Sequence, residues 1–230
     1  GDLFGKMRAG GRFGVEKVPF FDGGLFDSAA VLDVGSDGLA ILREVCQLDW
    51  GAIEPAILGT LFERSLDPSK RSQLGAHYTG REDILLIVEP VLMAPLRRRW
   101  AEMKAQARAL AERRDAASGA QRTKLHNELT SLLTGVAAEI ASVRVLDPAC
   151  GSGNYLYVSL RQLHDLEKQV VTEAADLGVG AFFPSVDPVQ LHGIEINEYA
   201  HELAQATIWI GYIQWLRENG FGTPREPILK

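Results

Sequence analysis

Apolar side chains change their spacing along this chain, and the changes divide it. Trp100, Met103, Ala107 and Leu110 recur every three or four residues, and so do Leu125, Leu129, Leu132, Val136 and Ile140. That period places each set on one face of a helix. Ser118-Gly119 lies between the sets and supplies a turn, so residues 97–141 read as a helical hairpin. The pattern then shortens. Val143–Leu146 is a β-prone run that leads into DPACGSGNYL, after which a helix is expected from about Asn154 to Ala175. Residues 177–188, LGVGAFFPSVDP, read as a loop, and Leu191–Ile196 as a second strand. Tyr199, Leu203, Ala206, Ile210 and Ile213 then line one stripe of a long helix. Strand, glycine-rich turn, helix, strand, helix is a βαβ unit, and such units pair their strands in parallel.

The N-terminal third is less regular. Residues 1–35 are rich in Gly and Phe and suggest loops with a short strand pair. Ser36 is suited to cap a helix running to about Gln47. A second helix is expected from Ile53 to Arg64, stopped by Asp67-Pro68. The apolar segment Ile84–Met93 predicts a third, with Asp83 at its start and Pro95 near its end. The expected division is a mainly helical N-terminal segment, residues 1–72, followed by an α/β domain over residues 73–230.

Composition narrows the classes. The chain has 230 residues, 46% of them hydrophobic and 23% charged, as a packed core requires. Ile84–Val88 and the other apolar runs are far shorter than a bilayer span, and no basic region followed by an apolar stretch opens the chain. Gly1 stands first, as in a cut fragment or a processed tag. Two cysteines, Cys46 and Cys150, make no disulfide framework, which favours a reducing cytoplasm. They have neither CxxC spacing nor a neighbouring His, which argues against a zinc site. The net charge of −6 lacks the basic footprint of a free-standing DNA binder. Basic clusters occur only locally, at Arg97–Arg99 and Arg113–Arg114. These could touch nucleic acid, but a solvated face of an amphipathic hairpin is the better expectation.

The turn after the first strand carries the chemistry. Glycine there lets a ligand approach the backbone, although a bare GxG also serves as a tight turn with no ligand. A dinucleotide-binding loop would need a third glycine at position 156, where this chain has Leu156. S-adenosylmethionine has no phosphate to cradle, and its positive sulfonium and amino groups suit an acid such as Asp147. Glu195 stands at the end of the second strand, where a carboxylate could accept hydrogen bonds from ribose hydroxyls. Its distance from Gly153 exceeds the roughly 20 residues of a dinucleotide fold, and the loop 177–188 absorbs the excess. Ile196 could pack against the adenine. Glu195 could equally be an ordinary strand-end acid; its pairing with the glycine loop favours ligand binding.

These motifs have a familiar order. DPACGSGN at Asp147–Asn154 resembles motif I of amino-group DNA methyltransferases, GIEIN at Gly193–Asn197 resembles motif II, and GAHYT at Gly75–Thr79 resembles motif X. The order X, I, II is similar to that of the gamma class, which methylates adenine N6. GGRFGVEKVPFFDGGLFD, LGTLFERSLDP, KRSQLGAHYT and HELAQATIWIGYIQW further resemble the large fused restriction–methylation enzymes of type II. The likeness covers nearly the whole chain, least in the hairpin. It implies a Rossmann-like methyltransferase core that binds S-adenosylmethionine. It further implies that His77, Tyr78 and Thr79 meet the methionine part, that Asp147, Pro148, Ala149, Cys150, Gly151, Gly153 and Asn154 line the cofactor, and that Glu195 and Ile196 hold ribose and adenine.

One departure limits the expected activity. Enzymes of this kind use a downstream Asn-Pro-Pro-aromatic motif at the reaction centre, and no such tetrapeptide occurs here. The resemblance therefore implies an inactive piece of a longer enzyme that acts on double-stranded DNA after flipping out the base. A truncated sheet of this sort would be expected to self-associate, with Trp209, Tyr212 and Trp215 as contact candidates. Two other readings remain at this point: a non-catalytic cofactor-binding or scaffolding module of a restriction system, and a nicotinamide-dependent oxidoreductase, which Leu156 disfavours.

Overall fold

A computed structural model describes residues 2–18, 20, 26, 30–31, 33–48, 53–57, 59, 61, 79–180 and 182–221. The chain divides into two units. One comprises residues 79–149 and 154–194; the other comprises residues 1–78, 150–153 and 195–230.

The unit built on residues 79–149 and 154–194 is mainly helical. Helix α3 (Arg81–Val88) starts after Gly80, whose carbonyl accepts from Ile84 N–H at 3.0 Å. Asp83 therefore sits within the first turn, where its charge complements the helix dipole, and not at the cap. The expected stop at Pro95 is absent. Pro90 and Pro95 lack the N–H that a continuous α-helix would use. The chain passes Pro90 in a π-helical stretch, Glu89–Met93, after which Ala94 N–H reaches back five residues to the Glu89 carbonyl, and Pro95 falls in the first turn of the next helix, where no N–H is needed. Helix α4 (Ala94–Ala116) then continues for 23 residues.

Helix α5 (Gly119–Ser142) completes the expected hairpin, with Ser118 at its N-cap position. Trp100, Met103 and Ala107 of α4 and Leu125, Leu129, Val136 and Ile140 of α5 are buried, as their spacing predicts. Two positions shift by one residue: Ala111 is buried where Leu110 was expected, and Leu133 where Leu132 was expected. Both pairs are adjacent, so the stripe rotates slightly without changing face. Each fully buried Leu contributes about 2 kcal/mol of apolar transfer.

The helix α6 (Asn154–Asp176) lies at the centre of this unit and packs on α3, α4 and α5. Its buried surface includes Leu156, Tyr157, Leu160, Leu163 and Val170. Asn154, Ser159, His164, Glu167 and Glu173 are polar side chains buried along it too. His164 has its pKa pushed down to about 3 by burial, so the ring stays neutral. Glu167 accepts from the backbone N–H groups of Ser185 at 2.5 Å and Val186 at 3.0 Å, which pins the loop after α6 to the helix. Glu173 receives Arg108 Nε at 2.6 Å and Lys104 Nζ at 2.8 Å from α4. The basic residues at Arg97–Arg99, Arg108 and Arg113 lie on an exposed face, as expected, and several also bond polar groups of α6 or the residue after it. Arg97 bonds Gln162, Lys104 and Arg108 bond Glu173, and Arg114 donates to the Leu177 carbonyl at 2.6 Å.

Strands β3 (Val145–Asp147) and β4 (Leu191–Gly193) pair in parallel, with Val145 opposite Leu191 and Asp147 opposite Gly193. With α6 between them they form the expected βαβ unit, although both strands are shorter than expected. Val143 is withheld from β3 because it closes α5. Its N–H bonds Ile140 O, and its carbonyl accepts from Gln190 Nε2 at 3.0 Å. Gln190 is 1% exposed and also donates to Ile140 O, so one amide satisfies two carbonyls left over at the end of α5. β3 ends because Asp147 Oδ1 accepts from Ala149 N–H at 3.1 Å, a local turn that Pro148 reinforces by having no N–H. The pairing extends one residue past β4 through Ile194 N–H to Asp147 O at 2.9 Å.

The other unit contains α1 (Asp2–Ala9), the antiparallel pair β1 (Gly11–Phe13) and β2 (Glu16–Val18), α2 (Ser36–Val45) and α7 (Glu198–Glu218). The hairpin β1–β2 is the expected short strand pair. Ser36 does not cap α2; Gly35 occupies that position, and Ser36 Oγ turns to Asp37 instead. Residues 58, 60 and 62–64 of the helix expected over residues 53–64 lie outside the described residues, and Gln214 Nε2 donates to Ile53 O at 2.8 Å. On α7, Leu203 and Ala206 are buried as expected, but Tyr199 is 56% exposed. Trp209 and Trp215 are themselves buried within the chain, which removes them as candidates for a self-association surface.

The Glu173 cluster makes a pH-dependent prediction. The hydrogen bond from Arg108, helped by Lys104, holds the Glu173 carboxyl below its ordinary value of 4.5. A lowered folded-state pKa contributes stability that is full above the unfolded value and lost as pH falls through the folded value. Thermal melting of Glu173→Gln should therefore lie below that of the parent at neutral pH. The gap should close progressively below pH 4.5. A gap independent of pH would show that the ion pairs contribute nothing.

Candidate functional site

The residues singled out by sequence fall on both sides of the division between units. Asp147, Pro148, Ala149 and Asn154 belong to the unit of α3–α6, whereas Cys150, Gly151, Gly153, Glu195 and Ile196 belong to the unit of α7. Thr79 is half-buried, just ahead of α3, and His77 and Tyr78 lie outside the described residues. In its own unit, Asp147 spends one carboxylate oxygen on the turn to Ala149. Pro148 and Ala149 are exposed, and Asn154 is 7% exposed at the first position of α6. Cys150 is a buried thiol.

In the unit of α7, the glycine loop and the acid of the second motif meet directly. Gly151 N–H donates to Glu195 Oε2 at 2.9 Å. The second oxygen, Oε1, accepts from Asn197 N–H at 2.8 Å. Gly151 and Gly153 have φ of +53° and +83°, a region that disfavours any side chain, and Gly153 N–H closes the loop on Cys150 O at 2.8 Å. The loop thus presents Gly151 N–H outward to the carboxylate. A carboxylate held by two backbone donors is an acceptor with capacity to spare. Ile196, two residues beyond Ile194, is 95% exposed.

Gly153 has a different reason to be glycine than the sequence suggested. A Cβ there was expected to intrude on a ligand. In the fold it would stand 3.0 Å from both Cα and Cβ of Ala204 on α7. Gly153 therefore serves close packing of α7 on the loop, the duty that a dinucleotide-binding pattern gives to its third glycine. A Cβ on Gly151 would meet nothing within 4 Å.

Asn197 was not among the residues expected in the site. Its Oδ1 accepts from Tyr199 N–H at 3.0 Å and Ala200 N–H at 3.1 Å, which makes it the N-cap of α7. The signal was present in the sequence, since Asn before an apolar helical stripe is a helix start; its backbone bond to Glu195 was not.

Comparison with known proteins places this arrangement. Residues 119–220 match the family model described as MmeI, DNA-methyltransferase domain. This segment is similar to that methyltransferase domain. DNA methyltransferase A of Bacillus subtilis (strain 168) is 28% identical over 207 residues, which cover 89% of this chain and 21% of the relative. A protein of Methanocaldococcus jannaschii, named as a type II restriction enzyme and methyltransferase, is 25% identical over 178 residues, covering 70% of this chain and 14% of the relative. Among solved structures, the type IIL restriction-modification enzyme MmeI, in complex with DNA, is similar with a TM-score of 0.73 and 25% identity over 99% of this chain and 30% of that one. The chain thus spans about a fifth of the first curated relative and less of the second. The recognition made from motifs X, I and II agrees with these findings.

The packing role of Gly153 can be separated from any ligand. Gly153→Ala should cost about 2–4 kcal/mol with no cofactor present, combining overpacking against Ala204 with the strain of a side chain at positive φ. Gly151→Ala should cost only the strain, about 1 kcal/mol. Denaturant unfolding of both variants measures this. In an Ala204→Gly background the excess cost at Gly153 should shrink, and an unchanged excess would mean that Ala204 is not the obstacle.

Proposed function

We propose that this chain is the S-adenosylmethionine-binding part of a site-specific DNA adenine-N6 methyltransferase of a restriction-modification system. The observation that carries the reading is the contact between Glu195 and Gly151 N–H at 2.9 Å. It brings the acid of the second motif to the glycine loop of the first, where vicinal ribose hydroxyls would need an acceptor. Glu195 holds the ribose, Gly151 lets it approach the backbone, and exposed Ile196 offers an apolar surface to the adenine. Asp147, Pro148, Ala149, Cys150, Asn154, Thr79, His77 and Tyr78 enter the proposal through the resemblance alone. A Rossmann-like core is supported by the parallel βαβ unit and by the likeness to the MmeI structure. The adenine target rests on the motif order X, I, II.

Double-stranded DNA is the proposed substrate of the whole protein, supported by the DNA complex of the structural relative. Among the described residues no helix is long and apolar enough to cross a membrane, and a cytoplasmic enzyme is the setting this reading requires. S-adenosylmethionine supplies the methyl group; the residues named here bind and orient it. The aromatic tetrapeptide that would position the target amino group does not occur in this sequence.

Titration calorimetry with S-adenosylmethionine and, separately, with NAD tests the proposal. Binding of the first and not the second is expected; the reverse would overturn it. Glu195→Ala should weaken S-adenosylmethionine binding by about 1–3 kcal/mol, the scale of leaving buried hydroxyls without a partner, and unchanged affinity would end the ribose assignment. Incubated alone with duplex DNA and labelled cofactor, the chain should transfer no methyl groups, because groups placed at the reaction centre are what orient and polarise the target.

A further inference from the structure

We infer that Asn197 is a positioning residue for cofactor binding, acting through Glu195 and touching no ligand itself. The inference rests on the proposed reading of Glu195 as the ribose acceptor and deepens it.

A carboxylate offers about four acceptor positions on two oxygens. Here each oxygen of Glu195 already receives one backbone N–H, from Gly151 to Oε2 and from Asn197 to Oε1. One acceptor position remains on each oxygen. Two adjacent free acceptors match two adjacent hydroxyl donors, as a vicinal diol presents them. Because both oxygens are held, the carboxylate plane cannot rotate, and less orientational freedom is lost when a diol binds.

The two donors are themselves fixed in different ways. Gly151 N–H belongs to a closed loop, with Gly153 N–H on Cys150 O at 2.8 Å. Asn197 N–H belongs to the segment that leaves the sheet, and its neighbour Ile196 is 95% exposed, so side-chain packing does not hold Ile196 in place. What holds Asn197 is its own side chain. Oδ1 takes the N–H groups of Tyr199 and Ala200, which locks the residue at the extended backbone conformation of a cap, φ −83° and ψ 107°. His201 N–H completes the turn by bonding Asn197 O at 2.9 Å. The first turn of α7 therefore determines where Asn197 N–H points, and through it where the Glu195 carboxylate points.

The test measures affinity of the whole chain for S-adenosylhomocysteine and for its 2′,3′-dideoxy analogue by calorimetry, in the parent, Asn197→Ala and Asn197→Ser. Serine also caps helices well and adds no charge. Asn197→Ala should bind S-adenosylhomocysteine about tenfold more weakly, the equivalent of a typical lost cap. Its affinity for the dideoxy analogue should match the parent's, and Asn197→Ser should restore most of the loss. Circular dichroism checks the fold, and if Asn197→Ala does not fold, Asn197→Gly replaces it, since glycine is tolerated at a cap but leaves the backbone unlocked. Equal weakening toward both ligands would reduce Asn197 to a purely structural residue and overturn the inference. So would full affinity in Asn197→Ala, or no recovery with serine. A parent chain that binds neither ligand would instead defeat the ribose reading beneath it.

Discussion

Two backbone N–H groups, one from the glycine loop and one from the start of α7, converge on the Glu195 carboxylate. A buried or half-buried backbone donor must find an acceptor, and a carboxylate is the strongest one a side chain can offer. Much of the local structure follows from that requirement. Gly151 must be able to turn its N–H toward the acid, which its positive φ permits. Gly153 must let α7 come close, which the absence of a Cβ permits. Asn197 must end the extended segment and start the helix at one residue, which its short amide does. Had any of the three been a bulkier residue, Glu195 would lose a partner or α7 would move away from the loop.

The other unit relies on the same device with different chemistry. Glu167, Glu173 and Gln190 are nearly inaccessible, and each spends its side chain on groups distant in sequence. Glu167 secures the loop at Ser185 and Val186, and burial raises its pKa while those two N–H groups lower it. Glu173 gathers Lys104 and Arg108 of the hairpin. Gln190 closes α5 and sets the start of β4. A two-stranded parallel sheet of three-residue strands has few hydrogen bonds of its own, so its register depends on such anchors. Gln190 and Arg144, which donates to Val189 O at 2.9 Å, fix β4 opposite β3 more firmly than the ladder alone would.

These anchors fix the strands of their own unit. In open α/β sheets a ligand meets the carboxyl ends of the strands. Here β3 runs into the glycine loop and β4 into Glu195. The match to the methyltransferase-domain model covers residues 119–220 and starts at the second helix of the hairpin. The hairpin's first helix, α4, thus lies ahead of the matched segment, yet its basic residues tie it to α6 of the same unit.

The sequence by itself determined the periodic elements and the chemistry of the motifs. The hairpin, α6, α7 and the parallel βαβ order were legible because apolar spacing reports which face of an element is buried, whatever that face touches. Motif I and motif II were legible through their resemblance to amino-group DNA methyltransferases and through the pairing of a glycine loop with a strand-end acid. Tertiary structure alone decided how elements end and what the polar residues meet. Pro95 reads as a stop, yet it falls in the first turn of the next helix, where no N–H is needed. Val143 reads as strand until Gln190 claims its carbonyl from 47 residues away. Gly153 reads as room for a ligand, and folding also sets it against Ala204. For Val143 and Gly153 the deciding partner is remote in the chain, and local spacing carries no information about a hydrogen bond or a contact that only folding brings together.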